Sequence, residues 1–263
     1  MSDARPPDSA PPPVRTGLRG WRRAGVELAG LVVGLFLFSR LRNLAGTDVR
    51  WATENAHALQ AVERGLSLDV EVAVNHWLAS HPTLMVVAVL YYRLYYLPVV
   101  GVLLWVLVRH PRAYRTIRRT LIVMLFLALL VFWLVPLSPP RFALPGIIDI
   151  VAEHDPVAGK ASRDLTTGQN HFSAMPSLHV AWCALGAYAA WLALRGKHPR
   201  LARLPWLLPV GMVPVVIGTG NHYVLDVAGS VLLLALSIAA SASWQRHGRL
   251  QLHRPRGRNR SVG

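Results

Sequence analysis

Three polar clusters stand out in an otherwise apolar chain. The first runs from Asn170 and His171 to Pro176, Ser177, Leu178 and His179. The second runs from Gly218 through Asn221 and His222 to Asp226, and the third from Pro136 to Arg141, with Pro139 and Pro140 ahead of the arginine. His222 and Asp226 are four residues apart. On a helix they share one face, where a carboxylate can hold an imidazole N–H and fix its tautomer. That is how an oriented nucleophile or base is built. Pro176 and Ser177, at the opening of an apolar run, suit a helix N-terminus, with the proline near the first turn. Free N–H groups there favour a phosphate. Arg141 adds a planar fork that matches phosphate oxygens. Two histidines, an aspartate, an arginine and a helix N-terminus describe phosphoryl transfer with no metal and no other cofactor. Two other readings compete. His222 and Asp226 can form a plain polar clamp between helices, and His179, His222 and Asp226 also suit zinc.

These residues must be positioned by elements that cross a bilayer. The chain has 263 residues, 53% hydrophobic and only 16% charged. Soluble domains carry about 25% charged residues, and disorder requires low hydrophobicity, so both classes are disfavoured. A helix needs about 20 mainly apolar residues to span the hydrocarbon core. Six runs qualify: residues 24–38, 84–108, 121–135, 175–194, 204–217 and 223–242. The fold class expected is therefore an all-α, six-span polytopic membrane protein. The single cysteine, Cys183, excludes an internal disulfide and a cysteine metal cage.

Charge gives the sidedness. Residues 1–23, 109–119, 195–203 and 245–263 hold 20 of the 28 basic residues but 2 of the 13 acids. Six spans place all four segments on one face, which the positive-inside rule makes cytoplasmic. Both termini are then cytoplasmic, and the three polar clusters meet at the outer face of the cell membrane. The Arg clusters are dispersed between spans, which argues against a nucleic-acid partner. Residues 1–20 read as a disordered cytoplasmic tail, 21–244 as the six-span catalytic domain with its motifs in 136–226, and 245–263 as a basic cytoplasmic tail. No cleavable signal peptide is evident, so the first span reads as a signal anchor. Residues 50–80 alternate charged and apolar residues and predict one or two amphipathic helices lying on the outer surface.

Pro176, Ser177, Leu178 and His179, followed by His222 and Asp226, resemble the type 2 phosphatidic acid phosphatase superfamily. That superfamily comprises six-span helical proteins whose relatives include vanadium haloperoxidases. Pro139, Pro140 and Arg141, the run Ala174 to His179, and the His222–Tyr223–Asp226 pattern are closer to its inositol-phosphorylceramide synthase and sphingomyelin synthase branch. The likeness covers roughly residues 80–243. It implies that His222 attacks phosphorus to form a phosphohistidine and that Asp226 orients it. It implies that His179 protonates the leaving alkoxide and then activates the acceptor, while Arg141 and Ser177 hold phosphate oxygens. Two cations of the hydrolytic members are replaced. Val215 and Val216 stand where those members have a Ser-Arg pair, and Leu134 stands where they have a lysine. This tilts the reading toward transfer to an alcohol rather than to water.

The resemblance thus implies an inositol-phosphate type of transferase acting between lipids. A phosphatidate or polyprenyl-phosphate phosphatase is the alternative, and a non-catalytic lipid transporter or scaffold is a third reading. Substrate and surroundings are lipid: a lipid phosphate or phospholipid within the membrane. Arg93 sits inside the second span, about 13 Å from its outer end if helical. It is expected to reach the phosphate or headgroup, with a structural pairing to Glu27 or a backbone carbonyl as the plainer alternative. Asn170 and Asn221 are candidates for headgroup hydroxyls. His171 reads as a loop histidine near the site, and Asp149 and Asp164 as loop acids able to contact a polyol. Trp21, Trp133 and Trp244 read as interfacial belt residues.

Overall fold

The computed structural model describes residues 18–45, 48–154 and 170–252. Of the disorder expected over residues 1–20, residues 18–20 are instead the start of a helix, while residues 1–17, the C-terminal residues from 253, and Asp164 lie outside the described residues. The chain divides into two units between Leu37 and Phe38. The second unit carries all three polar clusters. Among the described residues the structure is helical throughout, with no strand and one isolated parallel bridge between Leu137 and Ser173.

Helix α1 is Leu18–Leu44, and its apolar stretch Ala24–Leu44 is long enough to cross a membrane. The apolar run alone places its end at Phe38. The helix continues six residues further because Arg40 and Arg42 are good helix formers with no breaker beside them. Two short helices follow, α2 (Val49–Gly65) and α3 (Glu71–Ala79). Asp48 opens α2 by accepting the Trp51 N–H at 3.1 Å.

The second apolar run is two helices, α4 (Pro82–Leu94) and α5 (Tyr96–Arg109), which together cover Pro82–Arg109. Pro98 has no N–H to offer the Leu94 carbonyl, so the helix breaks at Tyr95. Helix α6 (Pro111–Leu134) is the third apolar helix. The short α7 (Pro140–Ala143) and α8 (Ile150–His154) sit in the connection that follows. Helix α9 (Leu178–Leu194) has 17 residues, shorter than the other apolar helices. A 3-10 turn (Leu201–Trp206) leads into α10 (Leu207–Gly218), and α11 (Val224–Leu252) ends the described chain. Five helical stretches are thus long and apolar enough to span, and α9 is the sixth apolar helix. The chain is an all-α polytopic membrane protein.

Helix α9 packs against α5, α6, α10 and α11. Its Ala181, Ala184, Ala187, Ala189 and Ala190 are buried, and such small residues let helix backbones approach. At Gly186 an added Cβ would meet the Val99 side chain at 3.4 Å, so glycine seats α5 close against α9. Where α6 meets α11, the Ser241 hydroxyl donates to the Thr116 carbonyl at 3.4 Å and the Gln245 amide to the Thr116 hydroxyl at 3.1 Å.

Candidate active site

The three clusters converge because their loops are bonded to one another. Leu137 N–H donates to the Phe172 carbonyl at 2.8 Å, and Ala174 N–H returns a bond to Leu137 at 3.2 Å. Arg141 N–H donates to the Gly220 carbonyl at 2.9 Å, and Ser177 N–H to the Asp226 carbonyl at 3.4 Å. The Tyr223 hydroxyl donates to the Ser138 carbonyl at 3.2 Å. The α2 helix adds Asn55, whose amide donates to the Pro136 carbonyl at 2.8 Å. Each bond satisfies a buried backbone group that water cannot reach.

Gly220 makes the turn between α10 and His222. Its φ is +72°, and a Cβ there would stand 2.6 Å from the Ile147 side chain. Only glycine fits both demands. Beyond it, His222 precedes α11 rather than lying on it. Asp226 sits in the first turn of α11 and reaches back, its Oδ2 accepting the Tyr223 N–H at 2.9 Å. The same oxygen is 3.3 Å from His222 Nδ1. The pairing therefore comes from a capping arrangement, not from two residues stacked on a helix face as the spacing alone suggested.

His222 Nε2 faces His179 Nδ1 at 3.4 Å. His179 is held in turn by Tyr92, stacked on it with ring centroids 4.3 Å apart, and by Tyr95 at 5.1 Å. Tyr92 of α4 and Tyr95 at the helix break thus both pack on His179, and Tyr92 also lines the site. With its Nδ1 N–H donating to Asp226, a neutral His222 ring keeps a lone pair on Nε2, the atom that faces His179. Burial first, and then the Arg141 charge, push the His222 pKa down to about 3, so the free imidazole is neutral at ordinary pH.

A cavity of about 210 Å³ opens over these groups. Of the residues singled out from the sequence, His179, His222, Arg141, Asn170, Asn221 and His171 line it. Asp226 is buried behind His222. Ser177 is fully buried as the N-cap of α9, its hydroxyl accepting the Val180 N–H at 3.5 Å, and Pro176 precedes the cap instead of occupying the first turn. Arg93, on α4, is not among the lining residues, although its charge lies within electrostatic reach of Tyr92 and His179. Arg141 pairs through Nε with Asp149 at 3.5 Å, both side chains largely buried. Asn221 donates to the Thr219 hydroxyl at 2.8 Å.

Three contributions were not read from the sequence. Arg42, at the end of α1, lines the cavity. Glu63 and Glu71, expected on an outer surface, are buried and accept the Leu225 and Val224 N–H groups at 2.7 and 3.1 Å. The signal for the two acids was present as an amphipathic pattern, but it does not reveal that one face meets the start of α11.

A family model described as the PAP2 superfamily matches residues 57–240. The chain belongs to this superfamily, and membership points to lipid phosphatase or phosphotransferase chemistry on membrane lipids. No curated protein and no solved structure matches the chain.

Proposed function

We propose that the protein is a lipid phosphotransferase working through a phosphohistidine on His222. The observation that carries this is the ordered line Asp226–His222–His179 opening onto a cavity that also holds Arg141. His222 Nε2 attacks the phosphorus of a lipid phosphate or phosphodiester. The bond to the leaving oxygen breaks, and His179 gives that oxygen its proton. Asp226 holds the Nδ1 proton and steadies the positive charge that forms on the ring. In the second step His179 takes the proton of an acceptor hydroxyl, whose oxygen displaces His222 from phosphorus. Arg141 holds the equatorial oxygens with its planar fork. Ser177 supports the site as the cap that starts α9, and Asn221 faces the headgroup.

Transfer to an alcohol, with an inositol-phosphate type of headgroup as the specific version, is favoured over hydrolysis by the charge of the site. Two positions that hold cations in hydrolytic relatives are Leu134 and Val216 here, and the Arg141 charge is partly matched by Asp149. With Arg42 as the other lining arginine, such a site suits a singly charged phosphodiester better than a doubly charged monoester. The basic segments support an outer-face site with both termini cytoplasmic.

The test is phosphorus transfer by purified protein in detergent, wild type beside His222→Ala. Phospholipid, short-chain phosphatidic acid and a polyprenyl phosphate are each supplied with and without inositol. A new phosphodiester product formed by the wild type alone supports the reading. Free phosphate from the monoesters, with no transfer product, replaces it with a phosphatase. Equal turnover by both proteins removes the histidine mechanism.

A further inference from the structure

We infer that Arg42 binds the substrate phosphate, so that α1 completes a site whose other parts lie within the family-matched stretch. The inference rests on the phosphate reading of the cavity. Arg42 lines that cavity together with Arg141, His179 and His222. Among the described residues its guanidinium has no hydrogen bond and no ion pair, and its Nε is buried with no acceptor. Arg42 is half-buried, and an arginine Nε withdrawn from water carries a cost that an anion at the guanidinium would offset. Arg141 differs, since Asp149 already stands beside it. Among the described residues Arg42 is therefore the lining cation with no counter-charge beside it.

The neighbouring positions sharpen the point. Leu134 is 68% exposed and Val216 is fully buried in an apolar cluster, and neither lines the cavity. The chain thus has no cation at either place, and Arg42 brings one from residue 42, ahead of the matched residues 57–240.

The end of α1 is also tied down. Asn170, at the start of the loop leading to His179, donates its amide to the Arg42 carbonyl at 2.8 Å and to the Ala45 carbonyl at 2.5 Å. Its own N–H donates to the Asn43 side chain at 3.3 Å, and its Oδ1 accepts the Phe172 N–H at 2.7 Å. With these bonds made, Asn170 is a positioning residue that fixes Arg42 over the cavity.

The experiment measures inorganic phosphate binding to the full-length protein in detergent by titration calorimetry. Arg42→Gln should weaken binding at least tenfold, and Arg42→Lys should retain part of it, because a point charge replaces a planar fork. A second measurement uses only wild-type protein: modification of arginines by phenylglyoxal, mapped by mass spectrometry, with and without phosphate. Phosphate should protect Arg42. Wild-type binding with Arg42→Gln unchanged, or no protection of Arg42 in phosphate-bound protein, overturns the role of Arg42 alone. No phosphate binding by the wild type removes the phosphate reading of the site and this inference with it.

Discussion

Glu63 Oε1 accepts the N–H of Leu225 at 2.7 Å, across 162 residues of sequence. Glu71 does the same for Val224 at 3.1 Å, and Asp226 for Tyr223 at 2.9 Å. Three carboxyl groups thus satisfy three consecutive N–H groups at the start of α11, the groups a helix cannot bond internally. His222 stands immediately before them, so α2 and α3 help to set its position.

The first prediction concerns that cap. Glu63→Gln keeps the accepting oxygen and should leave the melting temperature in detergent close to wild type at about pH 4, where Glu63 carries its proton folded and unfolded. Glu63→Ala leaves the Leu225 N–H buried without an acceptor, a loss of about 1–3 kcal/mol. Thermal melts of the two variants should separate clearly; equal melting temperatures would count against the cap.

A pH effect follows from the same residue. Burial first, with Glu71 and Asp226 nearby, raises Glu63 to about 8 although the Leu225 bond opposes the shift. The folded protein then holds a proton that the unfolded chain loses above the ordinary carboxyl range. Stability from this group is full below about pH 4.5 and is lost as pH rises through about 8. The melting temperature should fall between about pH 4.5 and 8, and Glu63→Gln should flatten part of that fall.

His222 has the opposite sign. Its pKa is depressed to about 3, so its contribution is full above about pH 6.5 and is lost as pH falls toward 3. Its ring therefore stays neutral between pH 5 and 8. Carbethoxylation of His222, followed by mass spectrometry, should proceed at a rate nearly independent of pH between 5 and 8. A drop centred near 6.5 would mean an ordinary, solvated imidazole.

His179→Ala should lower turnover of an alkyl-phosphate lipid by about 10²–10⁴-fold, the usual scale for a lost general acid. A substrate with a nitrophenolate leaving group needs no proton, so the first step should recover with it. Loss of equal size on both substrates would give His179 a different role.

Asp149→Asn should tighten binding of a phosphomonoester dianion relative to a phosphodiester, since it frees the Arg141 charge. Asparagine keeps the Oδ1 atom that accepts the Ala152 N–H at 3.1 Å, so α8 should remain in place. A comparison of inhibition constants for a monoester and a diester tests this, and an unchanged ratio would refute it.

Much of the site was legible from the sequence because it is carried by short motifs. His179, His222 and Arg141 line one cavity, as three clusters at one depth implied. Boundaries were less legible. The apolar run alone ends α1 at Phe38, since arginine reads as a loop residue in a membrane chain, yet the helix carries Arg42 onward to the cavity. Residues 84–108 read as one span although Pro98 lies inside the run, and the N–H it lacks breaks the helix at Tyr95. Glu63 and Glu71 show the limit most clearly. Amphipathic spacing says which faces of α2 and α3 are polar, but an acid that faces water and one that faces a buried helix start read the same.

The single bond from Arg141 N–H to the Gly220 carbonyl, 2.9 Å long, joins Arg141 and the loop that carries His222. Gly220 lies two residues before His222, so neither group can be displaced without tugging on the other. Gly220→Ala should therefore depress both substrate affinity and turnover. Its effect combined with Arg141→Lys should fall well short of the product of the two alone. Seen mechanically, the site behaves as a pair of jaws on one hinge pin, so a small molecule wedged beneath Arg141 would disarm the histidine without touching it.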